Sequence, residues 1–283
     1  MDRRDVIRNL SLASASPLIS LKSIPTPVLS ERKFLHSVCR WCYKDMPLEA
    51  LSDMAIECGI QSVELLKPSE WDVVQNRGLK VAISYGTTLG IPTGFNDPQY
   101  HGQLQSEILD VIPKAADRGI HQIIVFSGNR NGLTDEAGLE HCAVGLDPIV
   151  KAAAQYDVRI IMELLNSKIN HPDYQCDHTD WGVKLVDKVG STHFKLLYDI
   201  YHMQIMEGDV IHTITAYKDY IAHFHTAGVP GRHEIDESQE LNYAAIMKAL
   251  VDEGFDGFVA QEFIPVSGDP VKSLKRAIEI CSV

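Results

Sequence analysis

Four side chains in the second half of the chain have the types and spacing to do chemistry together. Glu163 in VRIIMELLN, Asp199 in FKLLYDIYHM, His225 in IAHFHTAG and Glu262 in GFVAQEFIP each stand at the end of an apolar, β-branched run. They are separated by 36, 26 and 37 residues. A carboxylate in such a run is destined for burial, and an unpaired buried charge costs several kcal/mol. For any one of them alone, a Lys or Arg inside the fold is an adequate partner. Four on successive runs point instead to one shared divalent cation. Three carboxylates and one imidazole suit Mn²⁺, Mg²⁺ or Co²⁺ better than a thiolate-loving metal.

The elements that must hold these residues alternate along the chain. From residue 34, apolar runs at Phe34–Cys42, Ser62–Leu66, Lys80–Tyr85, Gln122–Ser127, Val158–Leu165, Phe194–Tyr201, Ile221–Thr226 and Gly257–Ile264 read as strands. Amphipathic runs at Pro47–Cys58, Glu70–Asn76, Gln103–Arg118, Asp135–Tyr156, Asp180–Val189, Asp209–Tyr220, Asn242–Glu253 and Pro270–Cys281 read as helices. Gly59, Gly78, Gly119, Gly190 and Gly254 follow helices where a left-handed residue is wanted. Eight such pairs have the size and rhythm of a single (β/α)₈ TIM barrel, α/β in class. An open doubly wound sheet would want a glycine-rich first βα turn, and that turn reads Trp41-Cys42-Tyr43-Lys44-Asp45. In a barrel, the ends of strands five to eight meet on one rim, so all four residues converge.

The stretches SVCRWCYKD, ELLNSK, LLYDIYHMQIMEGD, HFHTAGVPGRHE, ELNY and AQEF resemble hydroxypyruvate isomerases. These belong among the xylose isomerase-like barrels, with ketose 3-epimerases and inosose dehydratase. The resemblance spans residues 34–265, and DIYHMQ and GVPGRHE are its most specific parts. It implies that Glu163, Asp199, His225 and Glu262 bind one divalent metal and that Glu163 and Glu262 are the proton-transfer pair. It further implies that His202 and Arg232 contact substrate oxygens. Two departures bear on the substrate. Ketose 3-epimerases carry a further Glu six positions after the first metal ligand, where this chain has Ile169. Many hydroxypyruvate isomerases have Gln where this chain has His225.

The chemistry such a centre performs is proton transfer between neighbouring carbons. A carboxylate moves the proton while cationic charge stabilises an enediolate. For hydroxypyruvate the product is tartronate semialdehyde. The substrate carboxylate needs a cation, and the fork of Arg232 matches it. The bland alternatives are a surface charge for Arg232 and a core histidine for His202. Trp41 and Tyr43 are candidates for the pocket wall, Asn166 and Lys168 for substrate contacts, and Phe95–His101 for a lid. His171, His178 and His233 are loop histidines without a role.

Rival readings share the barrel. A keto-sugar epimerase or isomerase, or an inosose-type dehydratase, would use the same centre. A phosphodiesterase of the endonuclease-IV type would want several zinc ions and a basic face. A non-catalytic sugar-binding barrel would need no buried acid–base couple. The net charge of −12 argues against a nucleic-acid partner. The partner expected is a small hydroxy-carbonyl compound, and these barrels commonly form homodimers. No stretch reaches the roughly 20 apolar residues of a spanning helix.

Residues 1–32 read as an extension ahead of a catalytic domain at 33–283. Asp2-Arg3-Arg4 before a Ser/Ala-rich apolar run resembles a twin-arginine signal, which predicts a periplasmic or exported location; without it the expectation is cytoplasmic. Without residues 1–22, 22 basic and 36 acidic residues remain, a net charge of −14. Of the six cysteines, Cys39 and Cys42 form a CxxC pair. On a strand, residues three apart face opposite sides about 10 Å apart, too far for a disulfide. No second CxxC completes a zinc site, so packing is the expectation for all six.

Overall fold

The computed structural model describes residues 34–283; the extension and export signal expected at residues 1–32 lie outside the described residues. Eight parallel strands run in the order β2-β1-β8-β7-β6-β5-β4-β3. They are β1 (Leu35–Cys39), β2 (Ser62–Glu64), β3 (Ser84–Tyr85), β4 (Gln122–Val125), β5 (Arg159–Glu163), β6 (Phe194–Asp199), β7 (Ile221–Thr226) and β8 (Phe258–Gln261). The sheet curls until its ends meet. Val63 donates to the carbonyl of Lys80 at 3.1 Å, Leu65 to Ile83 at 3.0 Å and Tyr85 to Leu66 at 2.9 Å, which joins the short β2 and β3 into a barrel. Lines of Ile, Val and Leu such as Ile160, Ile161, Leu196 and Leu197 are fully buried, as strands covered on both faces require.

The helices α1 (Leu48–Glu57), α2 (Trp71–Gln75), α3 (His101–Asp117), α4 (Asp135–Gln155), α5 (Thr179–Val189), α6 (Ile200–Met206), α7 (Val210–Tyr217), α8 (Tyr243–Asp252) and α9 (Pro270–Cys281) follow the strands. The five glycines expected after helices all have positive φ, from 65° at Gly190 to 81° at Gly78. Among the described residues, no helix is long and apolar enough to cross a membrane.

Most expected strands are trimmed at their ends, and three boundaries differ for a clear local reason. The sixth strand stops at Asp199 rather than Tyr201, because the Asp199 side chain accepts from the backbone N–H of His202 (3.1 Å) and starts α6. The helix expected through Tyr220 ends at Tyr217 and tightens into a 3₁₀ turn at Lys218–Tyr220. Cys39 closes β1 while Cys42 lies in a 3₁₀ turn at Arg40–Tyr43, so the pair does not share a strand. All six cysteines of the chain are nonetheless free, and all but Cys42 are buried.

Candidate metal centre and active site

Glu163, Asp199 and Glu262 close or follow β5, β6 and β8, and His225 is the penultimate residue of β7. The strand register aligns them: Asp199 pairs with His225, and Glu163 with Leu197. One ligand-capable atom from each lies within 4.8 Å of the other three. All four side chains are buried, at 0–5% exposure. The separately spaced residues of the sequence are one site.

His225 reveals what the site wants. Its Nδ1 lies 2.7 Å from Glu262 Oε2 and 3.2 Å from Glu163 Oε1, and its Nε2 lies 2.9 Å from Glu64 Oε1. A neutral imidazole carries one N–H and cannot satisfy carboxylates at both nitrogens. A cation must therefore stand at Nδ1, either a proton or a metal ion. Oxygen donors with a single imidazole nitrogen fit a divalent ion, and Glu163, Asp199, His225 and Glu262 are the residues that would hold it. In the ion-free centre these groups perturb one another. Burial lowers the proton affinity of His225, but Glu262 above all overrides it and raises it well above the ordinary histidine value. Burial lifts Asp199 to about 7 against the pull of Arg232. Burial also raises Glu163, helped by the charge of Glu262. Glu262 goes the other way: the Arg232 and His225 charges outweigh burial and hold it well below the carboxylate range.

Arg232 and His202 are both at the centre and both buried. Arg232 Nη2 bonds Asp199 Oδ2 (2.9 Å) and also Glu262 Oε2. Its guanidinium lies between the rings of Trp41 and Tyr201, 5.1 and 5.0 Å from their centroids. Its backbone is left-handed (φ 61°), following Gly231 at 92°, so the tight turn after β7 aims the side chain inward. A surface charge is not what the structure places there. His202 Nδ1 accepts from the backbone N–H of Asn166 (3.2 Å), its Nε2 meets Arg232, and burial pushes it well below the ordinary histidine value.

The remaining candidates divide. Trp41 Nε1 donates to Glu262 Oε1 at 2.6 Å, so it belongs to the site. Asn166 is fully buried and contacts His202 rather than open solvent. Lys168 turns away to the carbonyls of Ile205 and Met206 at the end of α6. The Phe95–His101 segment is no lid: Phe95 and Asn96 are buried, bonded to the backbone of Phe126 and Ser127, and His101 meets the carbonyl of Phe95 (2.8 Å). Tyr43 is buried, His178 pairs with Asp177 (2.8 Å), His233 lies near the carbonyl of Ile264, and His171 packs on the His202 ring (5.3 Å).

Glu64 at the end of β2 was not among the sequence candidates. It is fully buried, and although burial opposes ionisation, His223 and His225 hold it down at about 2. The signal was present: Ser62-Val63-Glu64-Leu65-Leu66 is another carboxylate in an apolar run.

A profile of the xylose isomerase-like TIM barrels matches residues 55–281. The chain belongs to that family. A human protein with a provisional description as a hydroxypyruvate isomerase is 30% identical over 251 residues, 83% of this chain and 80% of that one. The hydroxypyruvate isomerase of Escherichia coli is 27% identical over 237 residues, 75% of this chain and 86% of that one. Among solved structures, a family 2 AP endonuclease from Brucella melitensis superposes with a TM-score of 0.75 at 24% identity, covering 87% of this chain and 97% of its own. That likeness shows the barrel and no more. The named sequence relatives place this barrel among the isomerases.

Proposed function

We propose that the protein is a divalent-metal-dependent isomerase that interconverts hydroxypyruvate and tartronate semialdehyde through an enediolate. The observation that carries this reading is the convergence of Glu163, Asp199, His225 and Glu262, each from a different strand, within 4.8 Å. What a divalent ion supplies there is charge to stabilise the enediolate oxygens. Glu163 and Glu262 move the proton: one takes it from C3 and the other returns it at C2. Arg232 offers its fork to the substrate carboxylate, and the neutral His202 beside it hydrogen-bonds a substrate oxygen. Burial of the whole centre excludes water and strengthens each of these interactions. A ketose 3-epimerase is the second reading, favoured by the D-psicose 3-epimerase of Enterocloster bolteae, 26% identical over 240 residues. Against it, the exposed Ile169 occupies the place of the epimerases' further Glu.

The test is proton NMR of the protein with hydroxypyruvate in D₂O, with Mg²⁺ and with EDTA. Tartronate semialdehyde is expected to form with Mg²⁺ and not with EDTA, and Glu262→Gln is expected to slow it by about 10²–10⁴-fold. Folded, Mg²⁺-supplied protein that yields neither product nor deuterium uptake would rule hydroxypyruvate out.

A further inference from the structure

Beside the four-residue centre, three buried groups that the reaction does not use, Glu64, His223 and Cys39, gather around His225. Glu64 ends β2, and His223 and His225 stand two residues apart on β7, on the same face of that strand. Glu64 Oε1 is 2.9 Å from His225 Nε2 with hydrogen-bond geometry. His223 Nε2 lies 3.0 Å from the same oxygen without hydrogen-bond alignment. The Cys39 thiol stands 3.9 Å from both Glu64 Oε1 and His225 Nε2. Each of these side chains is fully buried.

We propose that Glu64 is a positioning residue: its Oε1 accepts the Nε2 proton of His225 and thereby keeps the Nδ1 lone pair aimed at the metal. This rests on the metal-dependent reading above. The reasoning turns on the two faces of one ring. If His225 carried its proton on Nδ1, that proton would point at Glu262 Oε2 and Glu163 Oε1 and occupy the ligand position. A carboxylate acceptor at Nε2 selects the other tautomer, fixes the ring's rotation and makes Nδ1 a better donor. It also explains why a carboxylate is buried in the apolar strand end Ser62–Glu64. Cys39, Glu64 and His225 do converge closely enough to suggest a separate metal site. That arrangement would need the Nε2 lone pair that the Glu64 hydrogen bond uses.

The experiment compares wild type with Glu64→Met, which removes the acceptor at similar volume, and Glu64→Gln, which keeps a neutral one. Mn²⁺ affinity is measured by titration calorimetry. The His225 tautomer is read from ¹⁵N shifts of the Mg²⁺-loaded protein. Glu64→Met is expected to weaken Mn²⁺ binding by about 10–100-fold and to lose the pure Nε2–H signature. Glu64→Gln is expected to keep the tautomer and lose less affinity. Glu64→Met affinity within twofold of wild type, with the tautomer unchanged, overturns the proposal; should that variant fail to fold, a His225 proton found on Nδ1 in the Mg²⁺-loaded wild type does so. Wild type that binds no Mn²⁺ overturns the metal-dependent reading itself, a result distinct from failure of the Glu64 role.

Discussion

Asn166 shows how much a single side chain can organise in this site. Its Oδ1 accepts from the backbone N–H groups of Ile169 (3.0 Å) and Asn170 (2.9 Å), closing the loop after β5. Its Nδ2 then faces His202 Nδ1 at 2.6 Å and Asn170 Oδ1 at 2.7 Å. These partners fix the amide's orientation, and through it the imidazole's. With Nδ1 accepting, the His202 proton sits on Nε2, which lies 3.6 Å from Asp199 Oδ2. Asn166→Ala should therefore do two things. Losing the loop bonds is expected to cost about 1–3 kcal/mol, seen as a lower urea midpoint. Freeing the His202 ring is expected to raise KM for hydroxypyruvate more than it lowers kcat, and a KM unchanged in the folded variant would separate Asn166 from substrate binding. The sequence made the four metal-capable residues legible because each is a polar interruption of an apolar run. Asn166 had no such mark, since a buried Asn three residues past a strand looks the same as a solvated one until its partners are known.

Strand ends and the loops beyond them set the rim, and here local geometry decides more than pattern. Ile221–Thr226 was readable to the residue because its apolar run is bounded by a turn on each side. β3 was not: only Ser84–Tyr85 forms a strand, because most of Lys80–Tyr85 joins β2 by isolated bridges and single hydrogen bonds. α6 was hidden because apolar residues continue past Asp199 through Ile200, Tyr201 and Met203, and only the capping geometry of Asp199 reveals it. The loop after β3 carries a sharper constraint. A Cβ on Gly94 would lie 2.2 Å from the Gly128 nitrogen and 2.3 Å from the Ser127 carbonyl carbon. These are backbone atoms and cannot swing aside. The close approach lets Phe95 and Asn96 bond to Phe126 and Ser127 and lock two neighbouring rim loops together. Gly94→Ala is expected to destabilise the protein by about 1–3 kcal/mol or to displace the loop. A thermal midpoint equal to wild type would show that the two loops are not locked there.

For the whole molecule, the site buries three carboxyls around the charges of Arg232 and His225. Asp199, with its proton affinity lifted to about 7, resists ionisation in the ion-free state. A carboxyl raised above its unfolded value of about 3.9 contributes stability below that value and loses it as pH rises through the folded value. The ion-free protein therefore gives up stability from Asp199 between about pH 4 and 7. His225, raised well above the ordinary histidine value, also holds a proton there. Glu262 is already ionised across this range and releases none. A divalent ion held as proposed would displace the protons on Asp199 and His225, so its binding would compete with acid. Mn²⁺ at about 100 times its Kd should stabilise the fold by about 2.7 kcal/mol, a rise in Tm of about 5 °C for a chain of this size. At a fixed Mn²⁺ concentration that rise should be larger at pH 8 than at pH 6, and EDTA should abolish it at both. Equal rises at the two pH values would mean that the ion displaces no proton, and that Asp199 and His225 are not its ligands.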